Sequence, residues 1–263
     1  MDKNRLIINL QNISFVYPGR EPILDDLDLS FHQGDRMGLI GPNGSGKTTL
    51  FHVIMGLLKP SSGDIEILGR PMKERNDFRD VRQKIGLLFQ DADDQLFSPT
   101  VLEDVAFGPL NLGKSQAEAK AIARRTLASL GLANFERRIT YKLSGGEKRL
   151  VSLATVLAME PEALLLDEPT TGLDEETEKR LIDILNRLNL SYILVSHNFD
   201  FLTKTTDFIS FISAGKISLD DESIPHTHVH VHKHGKYAHQ HSNDHKDAEL
   251  DKKRFKFLED EDY

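Results

Sequence analysis

Residues 41–48 read "GPNGSGKT", a glycine-rich turn between a short apolar strand, "MGLI" (37–40), and a segment with helical character. The spacing fits G-x-x-x-x-G-K-[ST], in which glycines let consecutive backbone N–H groups converge on phosphate oxygens at the positive end of a helix. In this setting Lys47 is predicted to reach the β- and γ-phosphates and the hydroxyl of Thr48 to bind Mg²⁺. The stretch therefore predicts a nucleotide-binding α/β fold.

Short apolar runs along the chain indicate that this turn belongs to a parallel sheet. The runs "IGLLF" (85–89), "ALLLD" (163–167) and "YILVSH" (192–197) alternate with helical segments, the first of them predicted over 48–58. Upstream, residues 5–31 alternate apolar and polar, which is typical of strands with one half-exposed face. The pattern predicts a P-loop core preceded by an antiparallel β meander.

Residues 92–160 predict a helical lobe inserted into this core. Ser115 and Glu118 form a capping box at the start of one helix, and Gly131 is placed to close it. A second helix is predicted over 144–159. We expect one ATPase-sized domain over residues 1–220, and the 263-residue length is ample for its core.

The composition limits the classes of function. Hydrophobic residues make up 39% and charged residues 28% of the chain, as in soluble globular proteins. The absence of cysteine excludes disulfides and thiolate metal sites. A net charge of −8 argues against a nucleic-acid partner. No apolar run approaches the ~20 residues that span a bilayer, so any membrane role is expected to use a separate subunit.

Residues 221–263 predict a disordered tail rich in histidine and charge, because the apolar periodicity stops there. Uncharged imidazole is a good ligand for Ni²⁺, Co²⁺, Cu²⁺ and Zn²⁺. Alternation would place five histidines on one side of an extended segment. They are His226, His228, His230, His232 and His234. The alternative is a solvated tail that binds metal incidentally; interspersed histidines followed by native-looking sequence argue against an engineered tag.

Two carboxylates follow a buried strand in "LLLDE" (164–168). Asp167 is expected to hold the Mg²⁺ shell, and Glu168 to polarise the attacking water as general base. An acidic pair after a strand can also simply begin a helix. Its position about 120 residues beyond the P-loop favours the catalytic interpretation.

The stretch "LSGGE" (143–147) at the start of a helix completes a set of motifs that resembles the ATP-binding-cassette (ABC) ATPases. The resemblance covers about residues 6–217 and implies a RecA-like core with an inserted helical lobe. It also implies that Ser144, Gly145 and Gly146 cap the γ-phosphate held by the P-loop of a second cassette, so that two ATP molecules lie between two head-to-tail subunits. The family usually has Gln where this chain has Glu147, and we expect a quantitative effect from that carboxylate.

Further site residues follow from the same resemblance. Tyr17 is implied to stack on adenine, with a core packing role as the alternative; His197 is implied to contact the γ-phosphate. Together with Lys47 and Glu168, His197 forms the predicted catalytic set. The predicted nucleotide and Mg²⁺ contacts are Tyr17, Gly41, Pro42, Asn43, Gly44, Ser45, Gly46, Lys47, Thr48, Thr49, Gln90, Ser144, Gly145, Gly146, Asp167 and Asp174, of which Thr48, Gln90 and Asp167 serve Mg²⁺. His32 and His52 match no motif and are expected to be structural.

The region after Gln90 resembles the energy-coupling-factor group of importers. It contains "DDQLF" (93–97) followed by "DVAFGP" (104–109). This resemblance implies a transmembrane scaffold and a substrate-binding membrane subunit as partners, with the ATPase bound to the cytoplasmic face of the membrane. The group imports vitamins, cobalt or nickel. Combined with the histidine-rich tail, it favours a metal over a vitamin, with nickel first and cobalt second.

Three other classes of protein are alternatives. A nickel-insertion GTPase would need an N-K-x-D guanine-reading motif, which the sequence lacks. ABC proteins of translation or DNA repair usually carry two cassettes or a long coiled coil, and neither is seen here. A metal-storage or metallochaperone protein would make the ATPase incidental; metal uptake that survives loss of Lys47 would favour it.

Overall fold

The structure, a computed structural model, describes residues 5–218, so the predicted metal-binding tail lies outside the described residues. Within this range the strands are β1 (Leu6–Val16), β2 (Pro22–His32), β3 (Arg36–Ile40), β4 (Ser62–Ile67), β5 (Arg70–Pro71), β6 (Ile85–Leu88), β7 (Ala163–Asp167), β8 (Ser191–Val195), β9 (Phe208–Ser213) and β10 (Lys216–Ser218). They form two sheets, of four and six strands.

The helices of the same range lie between these strands in the chain. They are α1 (Lys47–Ile54), α2 (Phe78–Lys84), α3 (Val101–Asn111), α4 (Gln116–Ser129), α5 (Gly145–Leu157), α6 (Glu175–Arg187) and α7 (Phe199–Thr205). Short 3₁₀ turns lie at Ala92–Asp94, Ala133–Phe135 and Thr140–Lys142. None of the helices in residues 5–218 combines the length and apolarity required to cross a bilayer.

The four-stranded sheet has the order β2-β1-β4-β5 and is antiparallel throughout. On β1 the side chains of Ile8, Leu10, Ile13 and Phe15 are buried, because one face of the sheet packs on the core. The predicted antiparallel meander is confirmed.

The six-stranded sheet has the order β10-β9-β3-β8-β7-β6. Strands β9, β3, β8, β7 and β6 are parallel, and β10 pairs antiparallel with β9 at the edge. Strands β7 and β8 are buried at every position, as expected for central strands covered by helices on both faces. Because the strands are parallel, their carboxyl ends meet at one edge of the sheet.

Helices α3, α4 and α5 lie between β6 and β7 in the chain and pack on one another, which confirms the inserted helical lobe. Helix α4 begins with the predicted capping box of Ser115 and Glu118. It buries Ala119, Ala123 and Leu127 on one face, and these belong to a core cluster that continues to β7 and β8. The lobe is therefore packed directly against one face of the parallel sheet.

Helix α1 ends earlier than its predicted limit at residue 58. Its last residue is Ile54, and Gly56 then takes a left-handed backbone conformation with φ of 63°. A Cβ atom placed on Gly56 would lie 2.2 Å from the ring of Phe78, so a side chain has no room at this position. The helix therefore ends at a glycine in the left-handed conformation, a local stop signal that the apolar pattern does not carry.

We expect Gly56→Ala to lower the free energy of unfolding by about 2–4 kcal/mol, since the left-handed conformation and the clash with Phe78 both oppose a side chain. Gly69→Ala is the matched control. Gly69 has a similar φ of 75° but no atom within 4 Å of the added Cβ, so only about 1–2 kcal/mol should be lost. Urea unfolding of the two variants measures the loss in free energy of unfolding for each. Equal losses would show that the ring of Phe78 moves aside without an energetic cost.

Candidate active site

The carboxyl edge of the parallel sheet gathers four sequence motifs into one pocket of about 190 Å³. The P-loop follows β3, Gln90 follows β6, Glu168 follows β7 and His197 follows β8. The pocket is lined by Ile23, Asn43, Gly44, Gly46, Lys47, Thr48, Thr49, Gln90, Asp167, Glu168 and His197. The structure thus brings together residues up to 174 positions apart, Ile23 and His197, in the crevice where α/β proteins bind ligands.

The P-loop forms an anion cradle at the start of α1. Gly46 caps the helix in a left-handed conformation with φ of 103°, and the first turn of α1 carries no acidic residue. The hydroxyl oxygen of Ser45 is buried and has no hydrogen-bond partner among the described residues. Free N–H groups at a helix N-terminus, beside a buried hydroxyl without a partner, are suited to phosphate oxygens. The residues present therefore fit the phosphate groups of a nucleoside triphosphate.

Lys47 begins α1 and is almost fully buried. Its Nζ atom donates to the carbonyl oxygens of Gly41 at 2.8 Å and Pro42 at 3.0 Å. Burial lowers the pKa of Lys47, while the negative charges of Glu168 and Asp167 oppose that shift. A partly desolvated ammonium held by two neutral carbonyls is well placed to pair with a phosphate instead.

Thr48 and Asp167 provide adjacent oxygen atoms at the pocket. The Thr48 hydroxyl donates to Oδ2 of Asp167 at 2.7 Å, although the two residues are 119 positions apart. Burial raises the pKa of Asp167, and the Thr48 hydrogen bond works against this shift. Gln90 lines the same pocket with its side chain exposed. Hydroxyl, carboxylate and amide oxygens are hard ligands of the kind Mg²⁺ prefers, so the donor set fits that ion.

Glu168 and His197 form the second polar pair of the pocket. Oε1 of Glu168 is buried without a hydrogen bond and lies 3.3 Å from Nε2 of His197, within ion-pair distance when the imidazole is protonated. The backbone N–H of His197 points to Oε2 at 3.4 Å. Burial raises the pKa of Glu168, against the opposing charge of His197. Glu168 also has a left-handed φ of 46°, a strained conformation of the kind found at functional sites.

Tyr17 lies outside the pocket lining. Its hydroxyl is 3.2 Å from Oγ1 of Thr49 in the first turn of α1, and its ring packs edge-on against Phe15 with centroids 4.8 Å apart. The residue is half-buried against the core. Its adenine-stacking role stays a prediction, and its contacts also support the packing alternative.

Ser144, Gly146 and Asp174 do not line the P-loop pocket formed by the described residues. Ser144 is exposed and caps α5, and Asp174 is exposed and caps α6 by accepting the backbone N–H of Thr177 at 2.8 Å. Gly145 is also exposed and lines a wider cleft of about 850 Å³ that includes Thr48, Gln90 and Asp167. Within one chain the P-loop pocket is therefore assembled without Ser144.

Sequence reasoning missed Arg149, which anchors the segment carrying Gln90. Arg149 is 5% exposed, and its guanidinium donates to the carbonyl oxygens of Phe89 at 2.7 Å and Gln90 at 2.5 Å. Burial lowers the pKa of Arg149, and the charges of Asp91, Asp167 and Glu168 oppose that shift. The sequence signal is one arginine at the start of an otherwise apolar helical run.

His52, expected to be structural, lines the 850 Å³ cleft one turn after Thr48. Its charge lowers the pKa of Asp167, although less than the Thr48 hydrogen bond does. It is thus part of the electrostatic surroundings of the pocket. Ile23 on β2 also lines the pocket. In the sequence it looks like any other apolar strand residue, so it could not be identified as part of the site.

Fold and pocket together define a P-loop nucleoside triphosphatase, and comparison with known proteins gives the family. The model of the ABC transporter family matches residues 24–171. An ABC transporter ATP-binding protein of Nitratidesulfovibrio vulgaris is 53% identical over 78% of this chain and 76% of its own length. The cobalt import ATP-binding protein CbiO of Rhodobacter capsulatus is 41% identical over 80% of this chain and 77% of its own length.

A solved structure agrees with these relatives. The dimeric, post-hydrolysis form of the ATP-binding cassette MJ0796, with ADP and phosphate bound, superposes with a TM-score of 0.74. It is 26% identical and covers 81% of this chain and 97% of its own. The chain belongs to the ABC transporter family and is an ATP-hydrolysing cassette.

Proposed function

We propose that the chain is the ATPase of a membrane importer for a divalent transition metal, and that the P-loop pocket binds and hydrolyses ATP. The observation that carries the proposal is the convergence of Lys47, Thr48, Asp167 and Glu168 at one edge of the sheet. In this pocket, the backbone N–H groups of the P-loop and the ammonium group of Lys47 hold the phosphates, as they do in other P-loop proteins. Thr48, Asp167 and Gln90 would hold Mg²⁺, which neutralises phosphate charge when bound.

Glu168 is proposed as the general base for the attacking water. Its buried carboxylate lies beside His197, and its raised pKa makes it a stronger base than an exposed glutamate. His197 and Lys47 are proposed to stabilise charge on the γ-phosphoryl group during transfer. The proton removed from water would remain on Glu168 at the end of this step.

Two copies are proposed to complete each site, because the pocket of one chain is assembled without Ser144. The exposed cap of α5 presents Ser144 and Gly145 at the surface, where a second cassette could receive them. We propose that they contact the γ-phosphate held by the facing P-loop, and that Asp174 lies at the seam between the cassettes. The dimeric state of the MJ0796 cassette with ADP and phosphate bound supports the pairing of two cassettes.

The membrane partner is proposed to dock in an apolar groove beside the segment carrying Gln90. Phe97 and Phe107 are 65% and 43% exposed and stack edge-on with ring centroids 4.7 Å apart. The groove also contains Leu57 and Met159 and has a volume of about 270 Å³. Large exposed aromatic side chains of this kind mark interaction surfaces. Membrane scaffold and substrate-binding subunits of the energy-coupling-factor type are the proposed partners, on the cytoplasmic face.

The choice of a transition metal rests on two supports of different kinds. The R. capsulatus relative is named for cobalt import, and the histidine-rich tail offers nitrogen ligands suited to Ni²⁺ and Co²⁺. Within residues 5–218, no group of three or more His, Cys, Asp or Glu side chains is placed to hold a metal ion. Any transition-metal binding by this chain is therefore proposed for the tail.

Uptake of radioactive Ni²⁺ and Co²⁺ tests the function in cells that produce the chain with its membrane subunits. We expect the parent protein to import one of the two ions and Glu168→Gln to abolish that uptake. Glu175→Gln changes an exposed surface residue and is the control, which should preserve the uptake. Replacing the five alternating histidines with asparagine should lower uptake at scarce metal only.

Three outcomes would contradict the proposal. Uptake of a vitamin in place of either ion would assign the chain to the vitamin importers of the same group. Metal accumulation that survives Lys47→Ala would indicate storage. Unchanged uptake by the asparagine variant at every metal concentration would remove the tail from transport.

A further inference from the structure

Helix α5, which Ser144 caps, carries an ion pair at its first turn. Glu147 accepts the backbone N–H of Ser144 at 2.9 Å through Oε2, and its Oε1 lies 2.6 Å from a guanidinium nitrogen of Arg138. Both side chains are partly exposed, 32% for Glu147 and 46% for Arg138. One carboxylate therefore both closes the capping box of α5 and pairs with an arginine from the preceding loop.

The carboxylate creates an electrostatic problem for the proposed function. Glu147 adjoins Ser144 and Gly145, the residues proposed to meet the triphosphate of the facing cassette, and like charges repel across a partly desolvated seam. The hydrogen bond from the Ser144 backbone, and then Arg138, lower the pKa of Glu147, so the group stays ionised at neutral pH. Its charge must therefore be balanced from nearby.

Arg138 is held in place to provide that balance. Its guanidinium lies over the ring of Phe135 at 3.7 Å from the centroid, and its carbonyl oxygen accepts the N–H of Val101 at the start of α3. The next residue, Ile139, forms a bridge with Thr100. Ring contact and backbone pairing restrict the arginine, so less entropy is lost in holding the ion pair than for a free surface arginine.

We propose that Arg138 is a positioning residue for ATP hydrolysis, because it neutralises Glu147 and so lets the start of α5 approach the triphosphate of the facing cassette. This inference rests on the proposed function. The inference goes beyond the proposed function because it assigns a role to Arg138, which does not line the P-loop pocket and is not proposed to contact the nucleotide. Arg138 acts only through Glu147.

Steady-state ATP hydrolysis by the full-length chain tests the inference in four variants. Arg138→Gln should raise the KM for ATP about fivefold with kcat nearly unchanged, and added salt should shrink the effect. Glu147→Gln keeps an acceptor for the Ser144 N–H and should leave KM at or below that of the parent protein. The double variant, Arg138→Gln with Glu147→Gln, should return KM to the parent value. Arg138→Lys keeps the charge and should stay within about twofold.

Arg124→Gln is the matched control. Arg124 lies on α4 in the same lobe and pairs with Glu136 at 3.0 Å, with side chains 52% and 31% exposed. Its KM should not change. If Arg138→Gln does not fold, the double variant decides: a folded double variant with the parent KM supports the inference, and an unfolded one contradicts it.

The inference fails if Glu147→Gln does not rescue Arg138→Gln, if the KM increase is insensitive to salt, or if Arg124→Gln shows the same increase. These results leave the two-cassette proposal intact. Substitution of Ser144 tests the two-cassette proposal separately. If that substitution did not affect hydrolysis, both the two-cassette proposal and the inference about Arg138 would lose their basis.

Discussion

Glu168→Gln is expected to lower kcat for ATP hydrolysis by about 10²–10⁴-fold, the usual contribution of a general base. The substitution keeps the size of the side chain and removes its ability to accept a proton. ATP affinity should change little, because Lys47 and the cradle of α1 remain. The variant should therefore accumulate as an ATP-bound dimer, which size-exclusion chromatography with and without MgATP can measure.

Glu175→Gln is the control for this experiment. Glu175 has an 85% exposed side chain, which pairs with Lys179 on the surface of α6. Its hydrolysis rate should match that of the parent protein. A rate for Glu168→Gln within a few-fold of the parent would remove Glu168 from the role of base and leave His197 as the remaining candidate.

Ser144→Arg is expected to lower hydrolysis by about 10²-fold or more, because it places a bulky cation where the cap of α5 should meet the γ-phosphate. Binding of ATP to a single chain should be preserved, since Ser144 does not line the P-loop pocket. Loss of the cap costs about 1 kcal/mol of stability. A fluorescent ATP analogue measures binding, and phosphate release measures hydrolysis.

Ser115→Arg is the matched control for the loss of the cap. Ser115 forms the same capping box with Glu118 at the start of α4, so its replacement causes a similar local loss of stability. Only its position differs. We expect normal hydrolysis from Ser115→Arg, and equal loss in both variants would show that Ser144 acts through the stability of the lobe.

The chain order of motifs was enough to predict much of the fold and the pocket. Glycine spacing at the P-loop and the carboxylates after "LLLDE" (164–168) are local signals, and parallel strands necessarily bring their carboxyl ends to one edge. The roles of His197 and Gln90 were predicted from the family resemblance, because a single polar residue after a strand forms no spacing pattern that indicates a function. The structure places both in the predicted pocket.

What the sequence did not reveal depends on contacts between distant segments. Arg149 bonds to carbonyl oxygens 59 and 60 residues away, and a backbone carbonyl leaves no trace in a sequence. The close approach of the Phe78 ring to Gly56 depends on how α2 packs near the end of α1, and the partner of Glu147 depends on how the loop before α5 folds back. These are consequences of packing, which periodicity and motif spacing do not encode.

The central claim is that each ATP is held by the P-loop of one chain and the Ser144 segment of another, and mixing two inactive variants tests it most directly. One partner carries Lys47→Ala and the other Ser144→Arg. In a mixed dimer one site receives both defects, while the other combines the intact P-loop of one chain with the intact Ser144 of its partner. We expect hydrolysis by the mixture to rise well above the sum of the two separate proteins. No gain on mixing, with mixed dimers demonstrated by affinity-tag pull-down, would contradict the account.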